Sequence, residues 1–236
     1  MATFFDDWLT GRFMAQPVAE EESYISDGLV FRIDGKKRGT VADTITDLVG
    51  GMQFINHGVT FANNGIVFNG SACFSTKINN ILPANSDYTV EIAFRPGATG
   101  TQYMFGSGDN DHADRPMVVL ENSRIHLASS RSPSGKLSFE MTSVVGSPFI
   151  VSGNHTSGVI NGVAKSISTY GDYWTTGATD RTSIGARYTN AIAYRTFYTG
   201  TIYAIRIYNR RLTEAEMLYN QQIDNMRFNL GLTINA

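Results

Sequence analysis

Apolar and polar positions alternate with a period of two along most of this chain, and the alternation comes in short runs. The cleanest run is Tyr88-Thr89-Val90-Glu91-Ile92-Ala93-Phe94-Arg95. Val90, Ile92 and Phe94 share one face and Thr89, Glu91 and Arg95 the other, the pattern of an antiparallel strand with one face on a core. Pro96-Gly97 stops it. Similar runs begin at Leu29–Ile33 and continue through Val59–Phe61, Ile66–Phe68, Ala72–Thr76, Gln102–Phe105, Met117–Leu120, Arg124–Leu127 and Leu137–Met141. Further ones are Phe149–Val151, Gly158–Ile160, Val163–Ser168, Ser183–Ala186 and Gly200–Asn209. Glycine, proline or Asn-Gly pairs such as Asn64-Gly65 and Asn69-Gly70 separate most of them. Many brief strands with regular turn signals predict a two-sheet sandwich or jelly roll. One helical pattern follows the last run. Thr213 with Glu216 three residues on forms a capping box, and Met217, Leu218 and Ile223 give the helix an apolar side to about Arg227.

Residues 1–24 break the rhythm. Phe4, Phe5, Trp8 and Leu9 recur at helical spacing, and Pro17 and Glu20-Glu21-Glu22 follow. This reads as a docking arm and linker before a single domain over 25–236. Its aromatics either pack on their own sandwich or dock on a partner subunit.

Composition supports the class. The chain has 236 residues, 23 glycines and only 6 prolines, as suits many glycine turns. A single cysteine, Cys73, allows no internal disulfide and reads as a small buried strand residue. Net charge is −2 with no basic stripe, which argues against nucleic-acid binding. No run reaches the ~20 apolar residues of a membrane helix, and Asp6 and Asp7 interrupt the N-terminal apolar run, unlike a signal peptide.

Four stretches resemble the concanavalin A-like lectin/glucanase superfamily, laminin G type. They are Asp27–Gly35, Ile66–Gly70, Asp87–Pro96 and, most specifically, Gly200-Thr201-Ile202-Tyr203-Ala204-Ile205-Arg206-Ile207-Tyr208-Asn209-Arg210-Arg211-Leu212-Thr213-Glu214-Ala215-Glu216. Ile160-Asn161-Gly162 is similar to the family's "v-N-G" turn, whereas Phe149–Val151 is short and lacks the family's leading Trp. The resemblance implies an all-β, two-sheet antiparallel jelly-roll sandwich with a short N-terminal arm and one C-terminal helix. Such domains are frequent in phage structural proteins and bacterial surface proteins. It therefore implies a virion protein (capsid decoration, head fibre or tail appendage), oligomeric and bound to other virion proteins on the particle surface. The alternative is a carbohydrate-binding module on a bacterial surface.

Some members of the superfamily cleave glycans with two carboxylates. The equivalent strand here offers Glu91 alone, read as a surface pair with Arg95, so no enzyme activity is expected. Glycan binding falls to Tyr170, Asp172, Tyr173 and Trp174, aromatics and an acid among turn residues; the competing reading has Trp174 capping the core. Tyr188, Tyr194, Phe197 and Tyr198 form a second aromatic stretch, read as core or interface. The cluster Asp109, Asn110, Asp111 and Asp114 is the densest set of hard oxygen ligands and the place for a Ca²⁺, if one binds; alone it supplies too few of the 6–8 oxygens Ca²⁺ takes and otherwise reads as a solvated turn.

Overall fold

The computed structural model describes residues 23–36, 43–76, 81, 87–107, 117–121, 124–128, 136–140, 145–154, 156–165, 168–169, 182–188 and 194–234. Within these there are nineteen strands and one helix, and seventeen of the strands form two antiparallel sheets packed face to face. The first sheet runs β14 (Val163–Lys165), β13 (Gly158–Ile160), β12 (Phe149–Gly153), β7 (Thr89–Pro96), β19 (Thr199–Tyr208), β5 (Gly65–Asn69) and β4 (Thr60–Ala62), with β1 (Leu29–Asp34) also on β19. The second runs β15 (Ser168–Thr169), β11 (Lys136–Glu140), β10 (Arg124–Ala128), β9 (Met117–Glu121), β8 (Gln102–Ser107), β16 (Thr182–Ile184), β6 (Cys73–Thr76), β3 (Gln53–His57) and β2 (Thr44–Thr46). A small hairpin joins β17 (Arg187–Tyr188) to β18 (Tyr194–Arg195).

β19 organises the first sheet. One edge pairs with β7 along almost its whole length. The other edge is divided: residues 199–202 pair with β5 and residues 204–208 with β1. Tyr203 sits at the irregularity between them, and its carbonyl accepts the Gly35 N–H.

The core is the space between the sheets. Phe31, Ile33, Val90, Ile92, Phe94, Ile202, Ile205 and Ile207 face it from the first sheet, and Phe54, Phe74, Phe105, Val118, Ile125 and Ile184 from the second. Phe31 meets Phe54 and Phe105 at centroid distances of 5.9 and 5.6 Å, within the range that favours tilted and edge-on ring pairs. The two layers predicted from alternation are thus the two layers observed.

β2 and β3 lie in a stretch that the pattern left as a loop. The turn between them is built by Asp47, whose carboxylate accepts the N–H groups of Arg32, Val49 and Gly50. The Asp47 carboxylate is therefore committed to backbone. The turn read at Asn64-Gly65 sits one residue earlier: Asn63 and Asn64 take the left-handed conformation, at φ of 50° and 62°. Asn is the residue after glycine that best tolerates that region.

The helix α1 (Glu214–Phe228) starts with the predicted capping box, in which Thr213 Oγ1 accepts the Glu216 N–H and Glu216 accepts the Thr213 N–H. It lies on the outer face of the first sheet.

Candidate functional site

The expectation for β7 needs correction. Its non-core side does not face water, because α1 and the residues after it cover that side. Ala93, Ile150, Tyr203, Ala204, Phe228 and Leu230 form a second apolar cluster there. Glu91 does not pair with Arg95, which is exposed. Instead Glu91 is wholly buried, and its Oε2 accepts from Arg206 Nε at 2.8 Å and from Asn220 Nδ2 at 2.9 Å. The Arg206 guanidinium also holds both oxygens of Asp224 on the helix. The reason is register: Glu91 and Arg206 are direct partners on neighbouring strands, so both side chains leave the sheet together under the helix.

Burial pushes the Glu91 carboxyl above its usual range, and the Arg206 charge only partly offsets this. Burial by itself would weaken Arg206 as a base, but Asp224 and Glu91 outweigh it and hold the guanidinium charged. Tyr24 closes the arrangement. Its hydroxyl donates to Asp224 at 2.7 Å, and its ring lies under Arg206 and Arg32 at 4.1 and 4.5 Å. Glu91 and Asp224 are two acids near one another, yet both have zero exposure. This is a clamp between helix and sheet; a substrate cannot reach either carboxyl group.

The outer face of the second sheet is different, since α1 does not lie on it. With Phe54, Phe74, Ile184, Phe105, Val118 and Ile125 turned to the core, the alternate positions point outward. One row across the strands is Ile55, Ser75, Ser183 and Gly106. Another is Tyr103, Val119 and His126. Ile55 and His57 are exposed at one side, and Arg124 at the other. His57 Nε2 lies 2.8 Å from Ser75 Oγ, and His126 Nε2 lies 3.4 Å from Glu121 Oε2. Over Tyr103 sits the guanidinium of Arg187, 5.2 Å from the ring centroid. The middle of these rows is buried: Ser75, Ser183, Val119 and His126 are covered, and Ser183 Oγ donates to the Ala186 carbonyl. What reaches the surface is the half-buried pair of Tyr103 and Arg187, with Ile55, His57 and Arg124 at the margins.

Gly185 sets the path from β16 to Arg187. Its φ is +83°, and a Cβ there would stand 2.2 Å from the Phe68 ring. Its N–H donates to the Met104 carbonyl and its carbonyl accepts the Tyr198 N–H. Arg187 thus starts from a backbone fixed on both sides.

The residues singled out from the sequence all fall outside the described residues: Tyr170, Asp172, Tyr173 and Trp174; Phe4, Phe5, Trp8 and Leu9; Asp109, Asn110, Asp111 and Asp114. Their flanks are informative. In chain order residues 170–181 fall between β15 and β16, and residues 108–116 between β8 and β9, and those four strands belong to the second sheet. Among the described residues no group of three metal-ligating side chains comes together. Of the second aromatic stretch, Tyr198 is core, with its hydroxyl donating to the Arg95 carbonyl at 2.9 Å. Sequence reasoning missed Tyr103 and Arg187, which are 84 positions apart and meet only through the β8–β16 pairing; no local signal marks them. Cys73 is buried as expected, and burial pushes its thiol up to about 12.

The comparisons with known proteins agree with this architecture. The sequence profile of the concanavalin A-like lectin/glucanases superfamily matches residues 68–217. No curated protein sequence matches the chain. Domain 4 of AbnA, an extracellular arabinanase of Geobacillus stearothermophilus solved with arabinotriose, superposes with a TM-score of 0.60 at 18% identity, over 83% of this chain and 98% of that domain. Trypanosoma rangeli sialidase, solved with sialic acid, gives 0.58 at 16% identity over 85% of this chain. The chain spans about a third of that sialidase, 33%. The CBM40 domain of Ruminococcus gnavus IT-sialidase, bound to α2,3-sialyllactose, gives 0.54 at 12% identity over 65% of this chain and 93% of that one. At these identities the likeness is one of fold. With the profile match and the two-sheet architecture together, the chain belongs to the concanavalin A-like lectin/glucanase superfamily.

Proposed function

We propose that this chain is a non-catalytic carbohydrate-binding domain that uses the outer face of its second sheet. The observation that carries the reading is the asymmetry of the two outer faces. One is closed by a helix over a buried ionic clamp, and the other carries a half-buried aromatic–guanidinium pair, Tyr103 and Arg187, with His57 and Arg124 exposed at its margins. Two structures of the same fold contain oligosaccharides, arabinotriose in one and sialyllactose in the other. The non-catalytic part is supported by Glu91 and Asp224, whose carboxylates are sealed against substrate.

Glycan binding places the working face toward the outside of a cell or a particle. It is preferred to a purely structural role on a virion, because two structures of the same fold hold oligosaccharides. Display on a virion or a bacterial surface is compatible with it, with Phe4, Phe5, Trp8 and Leu9 as the attachment. A glycan array probed with the whole chain tests the reading. Binding to a defined set of glycans, weakened by Tyr103→Ala, is expected; an array without any bound glycan would remove it. Release of sugar from any bound glycan, retained in Tyr103→Ala and lost in Glu91→Gln, would make the protein an enzyme after all.

A further inference from the structure

We propose that Arg187, laid on the Tyr103 ring, is the recognition point for an acidic group on the bound glycan, a sugar carboxylate or a sulfate ester. This deepens the carbohydrate-binding reading and rests on it. The first argument is the company that the arginines keep. Arg32, Arg206, Arg210, Arg211 and Arg227 each hold a carboxylate. Arg187 has an aromatic ring instead, and among the described residues no carboxylate pairs with it. A guanidinium that lies by a ring and not on a carboxylate keeps its N–H donors for a ligand, and two of them match the two oxygens of an oxyanion.

The second argument is rigidity. Tyr103 is fixed by pairing with Val119 and by its N–H to the Thr196 carbonyl at 3.3 Å. Arg187 follows Gly185 and Ala186, whose carbonyls accept from Tyr198 and Ser183. A cation held in place this way loses less freedom when a ligand arrives. Both residues are half-buried, so the site is reachable, and an ion pair there is less weakened by water than one on an open surface.

The test compares acidic sugars with neutral partners of the same skeleton, by calorimetric titration of the whole chain. The pairs are 3′-sialyllactose and 3′-sulfolactose against lactose, and trigalacturonate against its methyl ester. At least one acidic probe is expected to bind about tenfold tighter than its neutral partner, ~1.4 kcal/mol. The advantage shrinks as salt rises from about 50 to 500 mM, and Arg187→Gln reduces it to the neutral level. Acidic and neutral partners bound equally, or an acid preference kept by Arg187→Gln, would overturn the assignment while leaving glycan binding standing. A chain that binds no sugar of either kind, on the array or in titration, ends both. Phenylglyoxal footprinting of the wild type does not depend on a variant folding: the acidic probe should protect Arg187 and the neutral one should not, and equal modification of Arg187 with both counts against the site.

Discussion

The guanidinium of Arg206 lies 4.1 Å from the ring centroid of Tyr24, and through this pair the segment before the first strand is tied to the middle of the first sheet. The ring covers the one cation shared by Glu91 and Asp224, and the hydroxyl holds Asp224 from the other side. Helix, sheet and leading segment meet at one buried charge.

Removing that charge should be costly. Arg206→Met leaves Glu91 and Asp224 buried without a cation, and a loss of about 3–5 kcal/mol is expected in urea denaturation. Adding Glu91→Leu and Asp224→Leu should recover much of it, since apolar replacement of a complete buried ion cluster is often neutral. A triple variant as unstable as the single one would show that the three groups do not act together.

Tyr24→Phe keeps the ring over Arg206 and deletes one hydrogen bond to a carboxylate. It should lower stability by about 1.5–3 kcal/mol. Tyr24→Ala should cost more and expose residues 23–28 to protease. Equal stability of the two variants would mean that the ring contributes nothing.

Gly185 and Gly146 have nearly the same backbone angle, φ +83° and +86°. Their surroundings differ: a Cβ at Gly146 meets nothing within 4 Å, whereas one at Gly185 meets the Phe68 ring. Gly146→Ala should cost only the left-handed strain, about 1–2 kcal/mol. Gly185→Ala should add about 1–3 kcal/mol of overpacking. Thermal melts of the two proteins check the difference.

The helix start should report on pH. Hydrogen bonding from Arg210 lowers the Glu216 carboxyl from its ordinary 4.5 to about 2. A group lowered on folding stabilises above its unfolded value and stops doing so as pH falls through its folded one. Between about pH 5 and 2 the wild type should therefore lose roughly 1 kcal/mol, the worth of a cap, that Glu216→Gln has already lost. Glu91 has the opposite sign. It is raised by burial, so its contribution weakens as pH rises, and it cannot produce the acid-side loss.

Cys73 gives an inexpensive probe of global opening. With its thiol pushed up to about 12 and no exposure to speak of, 1%, it should resist iodoacetamide in the folded protein and react as urea unfolds it. Rapid labelling without denaturant would mean that β6 opens locally.

The fold was legible in the sequence because its signal is local. Val90, Ile92 and Phe94 advertise a core-facing strand within five residues, and Thr213 with Glu216 advertises a helix start within four. What the sequence hid depends on neighbours distant along the chain. Glu91 reads as a surface acid until the helix that covers it is in place, and then it needs Arg206, 115 positions away. β3 hides for a different reason: Gln53, Ile55 and His57 put an apolar residue on the outward side, which blurs the alternation. The outer pair on the second sheet is hidden too, since Tyr103 and Arg187 carry no shared motif and are joined only by strand order.

The divided edge of β19 bears on how the protein is made. The central strand of the first sheet is residues 199–208, and its three partners, β1, β5 and β7, come more than a hundred positions earlier. As the nascent chain leaves the ribosome, those three must wait with open edges until residues 199–208 emerge. Closure is thus a long-range event of the slow kind, and until it happens the waiting strands are what a chaperone would have to shield.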